Sequence, residues 1–166
     1  MNSDEDIEYA GFGRRLTALI IDTVIIALFT FGLVAAIFGL DYFQVQGTPE
    51  ALAQYPNSYF IELFIDNVLP AIFVVFMWVK FMATPGKMLL DCYIVDARTG
   101  KSITTLQAIL RYISYLISAL PLLLGFFWML WDKRNQCFHD KIAKTVVIRG
   151  NEHTEDSLET LEKKLL

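Results

Sequence analysis

Hydrophobic residues gather into three long blocks, which cover about residues 16–40, 61–82 and 106–131. A helix needs about 20 apolar residues to cross a hydrocarbon core of about 30 Å. The first two blocks therefore predict transmembrane helices. The first block is also too long for the apolar part of a signal peptide, which covers roughly 7 to 15 residues.

The third block is interrupted by Pro121 and Gly125, and two folds suit it. It can cross the membrane once as a kinked helix, or it can dip in and return with its turn at Pro121. A full crossing would separate the β-prone runs 93–95 and 146–148, whereas a re-entrant hairpin leaves them on one side, where they can pair. A return limb of about ten residues rises only about 15 Å, so its turn must be buried in protein. We favour the re-entrant hairpin.

Polar segments separate and flank the blocks. Residues 41–60 predict a polar external loop with one short helical turn, since they are rich in turn residues and hold no lysine or arginine. Residues 154–166 predict a short amphipathic helix. The fold class is an all-α membrane protein, with two transmembrane helices, a Pro-broken third hydrophobic segment and a small cytoplasmic β-pair. Its predicted parts are an N-terminal segment (1–15), a membrane domain (16–148) and an acidic tail (149–166).

Composition and charge exclude several classes of protein. Hydrophobic residues make up 55% of the chain and charged residues 19%, compared with about 25% charged in a typical soluble domain. The net charge of −4 comes from acids in the two tails, and the basic residues lie beside the apolar blocks. That arrangement is typical of membrane-flanking charge and not of a nucleic-acid surface. Cys92 and Cys137 are too few for a disulfide framework, and we expect free thiols.

Basic residues predict the orientation of the helices. Two precede the first block, none lies in 41–60, five lie from Lys80 to Arg111, and five lie from Lys133 to Arg149. Lysine and arginine favour cytoplasmic flanks. We therefore expect a cytoplasmic N-terminus, an external 41–60 loop and, with the re-entrant hairpin, a cytoplasmic C-terminus.

Ionisable residues inside the blocks are candidates for function. Asp22 lies about 10 Å deep, where a bare carboxylate costs several kcal/mol. Arg111 reaches a similar depth from the same side, so we expect it to be the counterion of Asp22, while Arg15 shares the helix face of Asp22. The pair predicts either a buried ion or proton site or a structural clamp between helices. Asp66 lies near the outer end of its helix, where a solvated position is favoured over a role in a pathway.

A second polar cluster follows the third block and consists of Asp132, Cys137, His139 and Asp140. Its spacing is unusual for metal ligands, so we expect no metal. We expect Asp140 to accept backbone hydrogen bonds or to pair with Arg134 or Lys87 at the cytoplasmic surface.

Catalytic patterns do not stand out. The segment 84–87 lacks the first glycine and the Ser/Thr of a phosphate loop, and it predicts a helix stop. No nucleophile–histidine–acid or paired-carboxylate arrangement is evident in the sequence. We therefore expect no enzymatic activity and no cofactor.

Several motifs occur together in order: YAGFGRRLTALIID at 9–22, TPGKMLL at 84–90, IVD followed by Gly100, Arg111, and FHDKIAKTVV at 138–147. Together they resemble the RDD family of bacterial membrane proteins, which is named for one arginine and two aspartates. The resemblance covers roughly residues 9–148. The order of separate motifs makes it more specific than any one of them.

By this resemblance, Arg15 and Asp22 match the family arginine and first aspartate. Asp140 is our choice for the second aspartate, with Asp132 as the alternative. The other motif residues are Pro85, Gly86, Lys87 and His139.

The chain departs from the family pattern at two places. The family usually has a small residue at the position of Asp91 and a glycine at that of Lys144. Each departure adds a charge to a segment that we place in the cytoplasm.

The resemblance implies a protein of the bacterial inner membrane, and cation/proton antiport has been suggested for some members of the family. We expect a small transporter of ions or small solutes that uses the Asp22–Arg111 pair, with a monovalent cation or proton as partner. Two helices and a hairpin are few to enclose a pathway, so we expect a homo-oligomer or a partner membrane protein. The alternative is a non-transporting scaffold or accessory subunit that docks a partner.

Overall fold

The computed structural model describes residues 8–119 and 124–150, so the acidic N-terminus, the turn at Pro121 and the predicted helix over 154–166 lie outside it. The described part is mostly helical with one small sheet. The elements are α1 (Phe12–Phe38), α2 (Tyr42–Val45), α3 (Pro49–Gln54), α4 (Ser58–Leu63), α5 (Leu69–Phe81), α6 (Pro85–Met88), β1 (Cys92–Asp96), α7 (Thr105–Ala119), α8 (Leu124–Phe127), α9 (Phe138–Ala143) and β2 (Thr145–Arg149). A π-helical turn (Phe64–Val68) joins α4 to α5, and a 3-10 turn (Trp128–Leu130) follows α8.

Two helical runs, Phe12–Phe38 and Ser58–Met88, are long and apolar enough to cross a membrane. Only 11% and 6% of the residues in their most apolar windows are buried. The core helix of a soluble protein would bury far more of its apolar surface, so these two helices fit a membrane protein.

The second of these runs changes its helical pitch at Phe64–Val68, where the backbone N–H of Leu69 donates to the carbonyl of Phe64. Pro70 follows directly. In a regular α-helix its ring would clash with the carbonyl of Asp66, and it has no N–H to donate. The wider π-helical turn is a local way to accommodate that proline.

The chain forms two compact units, of which one spans residues 23–74. Its core holds Val34, Tyr42, Ala51 and Ile65. The ring of Tyr42 stacks on Phe38 at 4.6 Å and meets Tyr55 edge-on at 5.0 Å. The predicted polar loop is therefore more ordered than expected, because its aromatic side chains cover one another and hold α2 and α3 in place.

The other unit holds the residues up to 22 and from 75 onward. In it β1 and β2 pair antiparallel, with Tyr93 opposite Ile148 and Val95 opposite Val146. The predicted pairing of the two β-prone runs is confirmed. The segment before α1 joins the edge of this sheet, since the N–H of Ala10 donates to the carbonyl of Val147 at 2.9 Å.

Between the strands, the third hydrophobic block folds back on itself. Tyr115 of α7 stacks on Phe126, which lies beyond residues 120–123, at 5.8 Å. Closer to that gap, a Cβ on Gly125 would lie 2.6 Å from Cα of Ser118, so the two described limbs touch through backbone. The structure therefore has the fold-back, which lets the strands meet, and not the single kinked helix.

Candidate functional site

Asp140 lies at the centre of a buried cluster of charges, and none of its surface is exposed. It stands in the first turn of α9, where its Oδ2 accepts the backbone N–H of Cys137 at 3.1 Å. The same oxygen binds Nη1 of Arg15 at 2.5 Å, and Oδ1 binds Nη2 of Arg111 at 2.6 Å. One carboxylate thus joins α1, α7 and α9, and we call these three side chains the Asp140 clamp.

Each arginine of the clamp has a further anchor. Nε of Arg15 donates to the carbonyl of Ala10 at 3.2 Å, and Nη1 of Arg111 donates to Oγ1 of Thr145 at 2.9 Å. The guanidinium of Arg111 also lies 5.2 Å from the ring centre of Trp78. In the part of the chain that the structure describes, two guanidinium nitrogens, Nη2 of Arg15 and Nε of Arg111, are buried without a hydrogen-bond partner.

Asp22 of α1 is buried in a separate set of contacts. Its Oδ2 accepts a hydrogen bond from the hydroxyl of Thr84 at 2.5 Å, and its Oδ1 accepts the backbone N–H of Gly86 at 2.7 Å. Nζ of Lys87 is 3.9 Å from Oδ2. A Cβ on Gly86 would lie 2.4 Å from the carbonyl oxygen of Ala18, so the segment approaches α1 more closely than a side chain allows.

Two sequence-based expectations about these charges are wrong. Arg111 pairs with Asp140 and not with Asp22, whose basic neighbour is Lys87. Asp140 is fully buried, whereas we expected it to pair with Arg134 or Lys87 at the surface. Both differences have one physical reason: α9 packs on α7, and this contact brings Asp140 next to Arg111. The expected backbone hydrogen bond to Asp140 is present.

His139 and Cys137 flank the clamp. Nε2 of His139 lies 3.6 Å from Oδ1 of Asp140, and its Nδ1 is 3.3 Å from the hydroxyl of Ser118. Burial, reinforced by the charges of Arg111 and Arg15, lowers the pKa of His139 to about 3. Burial, with Asp140 adding to it, raises the pKa of the Cys137 thiol to about 11. Burial opposes ionisation of Asp140, but Arg111 and Arg15 outweigh it and hold its pKa well below the usual range.

Cys137, His139 and Asp140 place one ligand atom each within 4.8 Å of one another. They are nevertheless a poor site for a metal ion. The oxygens of Asp140 are occupied by two guanidinium groups, and the positive charges of Arg15 and Arg111 beside it oppose a cation. We assign no metal to them.

A cavity of about 220 Å³ lies against the clamp. The charged part of its wall is formed by Arg15, Lys87 and Arg111, and most of the rest is apolar. These three cations face two buried acids, Asp22 and Asp140, which leaves one formal positive charge uncompensated in this group. The wall of this cavity, which Asp22 does not line, is therefore electrically suited to an anion.

The remaining predicted residues lie elsewhere. Asp66 is exposed in the π-helical turn of the 23–74 unit, and its solvated position stays a prediction. Asp132 is half-buried, forms an ion pair with Lys141 and accepts the N–H of Arg134 at 3.0 Å. Pro85 begins α6.

Sequence reasoning missed two residues of the site, Thr84 and Trp78. Thr84 precedes a proline at a helix start, which is a common capping position and the signal that was available. Trp78 is buried between Lys87 and Arg111, with ring centres 6.0 and 5.2 Å from the two cations. Nothing in an apolar helix distinguishes such a tryptophan beforehand.

Comparison with known proteins identifies the family of this chain. The model of the RDD family matches residues 9–144, which include Arg15, Asp22 and Asp140. This chain belongs to the RDD family. Asp140, and not Asp132, contacts the family arginine Arg15, which supports Asp140 as the second family aspartate.

Two curated relatives of this RDD-family chain are similar over part of their length. An uncharacterized protein of Rickettsia prowazekii (strain Madrid E) is 37% identical over 92 residues, which are 54% of this chain and 50% of that protein. A proline-rich antigen homolog of Mycobacterium tuberculosis (strain ATCC 25618 / H37Rv) is 33% identical over 63 residues, 38% of this chain and 26% of that protein. The matches thus span half or less of these relatives. No solved structure matches the chain.

Proposed function

We propose that this RDD-family protein is a multi-pass protein of the bacterial inner membrane that transports ions or small solutes, by cation/proton antiport at Asp22. The observation that supports antiport is the loose pairing of Asp22. Its basic neighbour Lys87 stays 3.9 Å from Oδ2, whereas the arginines hold Asp140 at 2.5 and 2.6 Å.

The two buried acids then have different roles. Asp140 is fixed by two guanidinium groups and a backbone N–H, and it serves as a clamp between helices. An ammonium 3.9 Å from an oxygen is beyond hydrogen-bond distance. A proton or a monovalent cation can therefore compete with Lys87 for Oδ2 of Asp22. The proposed exchange site consequently lies at Asp22 with Lys87, and Arg111 acts on it only through the clamp.

Flux through liposomes tests this proposal. The purified protein is reconstituted, a pH gradient is applied, and the flux of sodium, potassium and lithium is measured. We expect the variant Asp22→Asn to lose the flux. Asparagine keeps an acceptor for the N–H of Gly86 and can donate to Thr84, so the loop should stay docked.

Asp66→Asn is the matched control, because Asp66 is also an acid in an apolar helix but is exposed. It should keep the wild-type flux. Antiport at Asp22 is refuted if Asp22→Asn transports as well as the wild type, or if the wild type moves none of these cations.

The proposal includes self-association of the protein in the membrane. Two spanning helices and a hairpin enclose little space, so we propose that a second copy or a partner membrane protein completes the pathway. The mass of the purified protein in detergent, from light scattering, distinguishes a monomer from an oligomer.

A scaffold without transport is the second candidate, and the closed Asp140 clamp favours it. A buried carboxylate paired with two guanidinium groups and a backbone N–H is a sign of a rigid fold, and the same contacts suit a docking platform. Pull-down with and without residues 150–166 tests this role. Loss of a stoichiometric partner on truncation supports the scaffold, and identical recovery argues against a tail-dependent one.

A further inference from the structure

The cavity beside the Asp140 clamp has three cations in its wall, and one of them keeps an unused hydrogen-bond donor. Arg15 lines it with a side chain only 10% exposed, and its Nη2 has no hydrogen-bond partner among the residues that the structure describes. Lys87 and Arg111 line the same cavity and are also buried. A buried donor without a partner costs about 1–3 kcal/mol, so an acceptor placed there would be stabilised.

The rest of the cavity wall is mostly apolar, and part of it is exposed at the surface. It includes Leu16, Leu19 and Phe127, which are 43%, 50% and 38% exposed. Leu16 and Leu19 belong to α1, a helix that is long and apolar enough to cross a membrane. The exposed part of the wall therefore lies where acyl chains would contact the protein.

We propose that this cavity binds an anionic phospholipid from the bilayer, with its phosphate at Arg15, Lys87 and Arg111 and its acyl chain over Leu16, Leu19 and Phe127. The formal charge of the wall fits an anion, and its apolar part fits a chain. An engineered cavity of about 150 Å³ holds benzene and this one is about 220 Å³, so it has room for one small part of the lipid, and the rest would lie in the bilayer.

A soluble anion would contact only the charged part of the cavity wall. It would pair with the cations but leave the apolar wall in contact with water, whereas an acyl chain covers that wall. A lipid with a net-neutral headgroup would leave the extra positive charge uncompensated. The proposal does not depend on ion exchange at Asp22.

Lipid binding to the full-length protein in a neutral detergent tests the proposal, with no pH gradient and no flux measurement. Native mass spectrometry counts bound phosphatidylglycerol, phosphatidylcholine with the same acyl chains, and glycerol phosphate. We expect one phosphatidylglycerol per chain, bound about tenfold more tightly than phosphatidylcholine. Glycerol phosphate should not compete at equal concentration.

The variant Leu16→Trp enlarges a side chain of the apolar wall and leaves the three clamp residues unchanged, and it should weaken phosphatidylglycerol binding about tenfold or more. Ile20→Trp is the matched control, because Ile20 is on the same helix, 56% exposed, and outside the cavity wall. It should bind like the wild type. Unfolding midpoints verify that both variants are folded.

Three results would overturn the proposal. Equal binding of the two phospholipids would mean that Arg15, Lys87 and Arg111 do not select an anionic headgroup. Full competition by glycerol phosphate would make this a site for soluble anions. Equal binding by the two tryptophan variants would place the lipid elsewhere.

Discussion

A carboxylate held between two arginines and out of water has little freedom to change its protonation state. In Asp140 the two guanidinium groups and one backbone N–H occupy both oxygens. Removing one partner of such a buried group leaves the others charged and unpaired, and this costs far more than the loss of a surface ion pair. At the residue scale the clamp is therefore the most sensitive part of the molecule.

Asp140→Asn should destabilise the protein by about 3–5 kcal/mol, because Arg15 and Arg111 stay buried without their counterion. Denaturant unfolding in detergent measures the change. Asp132→Asn is the control, since its ion pair with Lys141 is partly exposed and is worth about 0–1 kcal/mol. A similar loss in both variants would contradict the structural role of the clamp.

His139 makes stability depend on pH. Its pKa is about 3 in the folded protein and 6.5 without burial, so below pH 6.5 the unfolded chain takes up a proton that the folded one does not. Stability therefore falls as the pH falls through this window. Between pH 7 and pH 5 the loss should be about 2 kcal/mol.

Denaturant unfolding at the two pH values checks this expectation. In His139→Gln the loss over this interval should largely disappear, since the remaining histidine, His153, is common to both proteins. A pH dependence that survives the substitution would assign the effect to another group.

How much of the site could be predicted differs from one residue to the next. The sequence marks Arg15, Asp22 and Arg111 because charges in apolar blocks need partners, and all three are paired in the structure. It does not reveal which partner each takes. Depth along a helix matches Asp22 with Arg111, but Asp140 and Lys87 come from short segments whose docking depends on tertiary packing.

At the scale of elements, close backbone approach decides how the segments dock. Gly86 sits against the carbonyl of Ala18, and Gly125 sits against Cα of Ser118. Neither glycine is needed for an unusual backbone angle, since neither has a positive φ. Both are needed because no room exists for a Cβ.

Gly86→Ala should lower stability by about 1–3 kcal/mol, because its Cβ would lie 2.4 Å from the carbonyl oxygen of Ala18 and that backbone cannot move freely. Thermal unfolding checks the effect. Gly13→Ala is the control: it lies in α1 with nothing within 4 Å of its Cβ, and it should be neutral or stabilising. Equal stability of Gly86→Ala and wild type would mean that the loop is not docked on α1.

Lys144 ends α9 in the left-handed region, with φ +55. This conformation explains why the family usually has glycine at that position. Asp91, where the family usually has a small residue, lies in the same region, with φ +51. A residue with a Cβ costs roughly 1–2 kcal/mol in this conformation. Glycine avoids that cost but loses about 0.5–1 kcal/mol of stability, because its unfolded chain has more conformational entropy. Lys144→Gly should therefore stabilise the protein by about 0.5–1 kcal/mol.

The unfolding free energy in denaturant measures the gain. Lys144→Ala separates backbone conformation from charge, because it removes the ammonium and keeps the Cβ. A gain of the same size in both variants would attribute the effect to charge.

Elements with a strong local pattern were predictable, and those made by packing were not. The pairing of β1 with β2 follows from two short β-prone runs on either side of a broken helical block. The helices α2 and α3 lie in a segment with many turn residues and owe their order to the aromatic contacts of Tyr42 and Tyr55. A pattern of polar residues gives no sign of such contacts.

For the whole molecule, the fold-back of α7 and α8 brings the segments before and after it into one unit, where they share one sheet. If both long helices span a bilayer, we expect the two segments to lie on the side of the N-terminus.

Cysteines introduced at Arg98 and Lys133, which are exposed before and after the hairpin, should therefore label from the same side. A membrane-impermeant maleimide applied to intact cells and to inverted vesicles measures the side. We expect labelling of both positions in inverted vesicles only, and of Gln54→Cys, the control in the 41–60 loop, in intact cells only. Labelling of Arg98 and Lys133 from opposite sides would mean a full crossing.

The Arg15–Asp140 contact joins residues 125 positions apart, and this has a consequence for biosynthesis. A ribosome adds about 5–20 residues per second, so Asp140 is made roughly 6–25 s after Arg15. Throughout that interval Arg15 lacks its partner Asp140. The buried cluster can therefore form only long after the helix that begins it has been made.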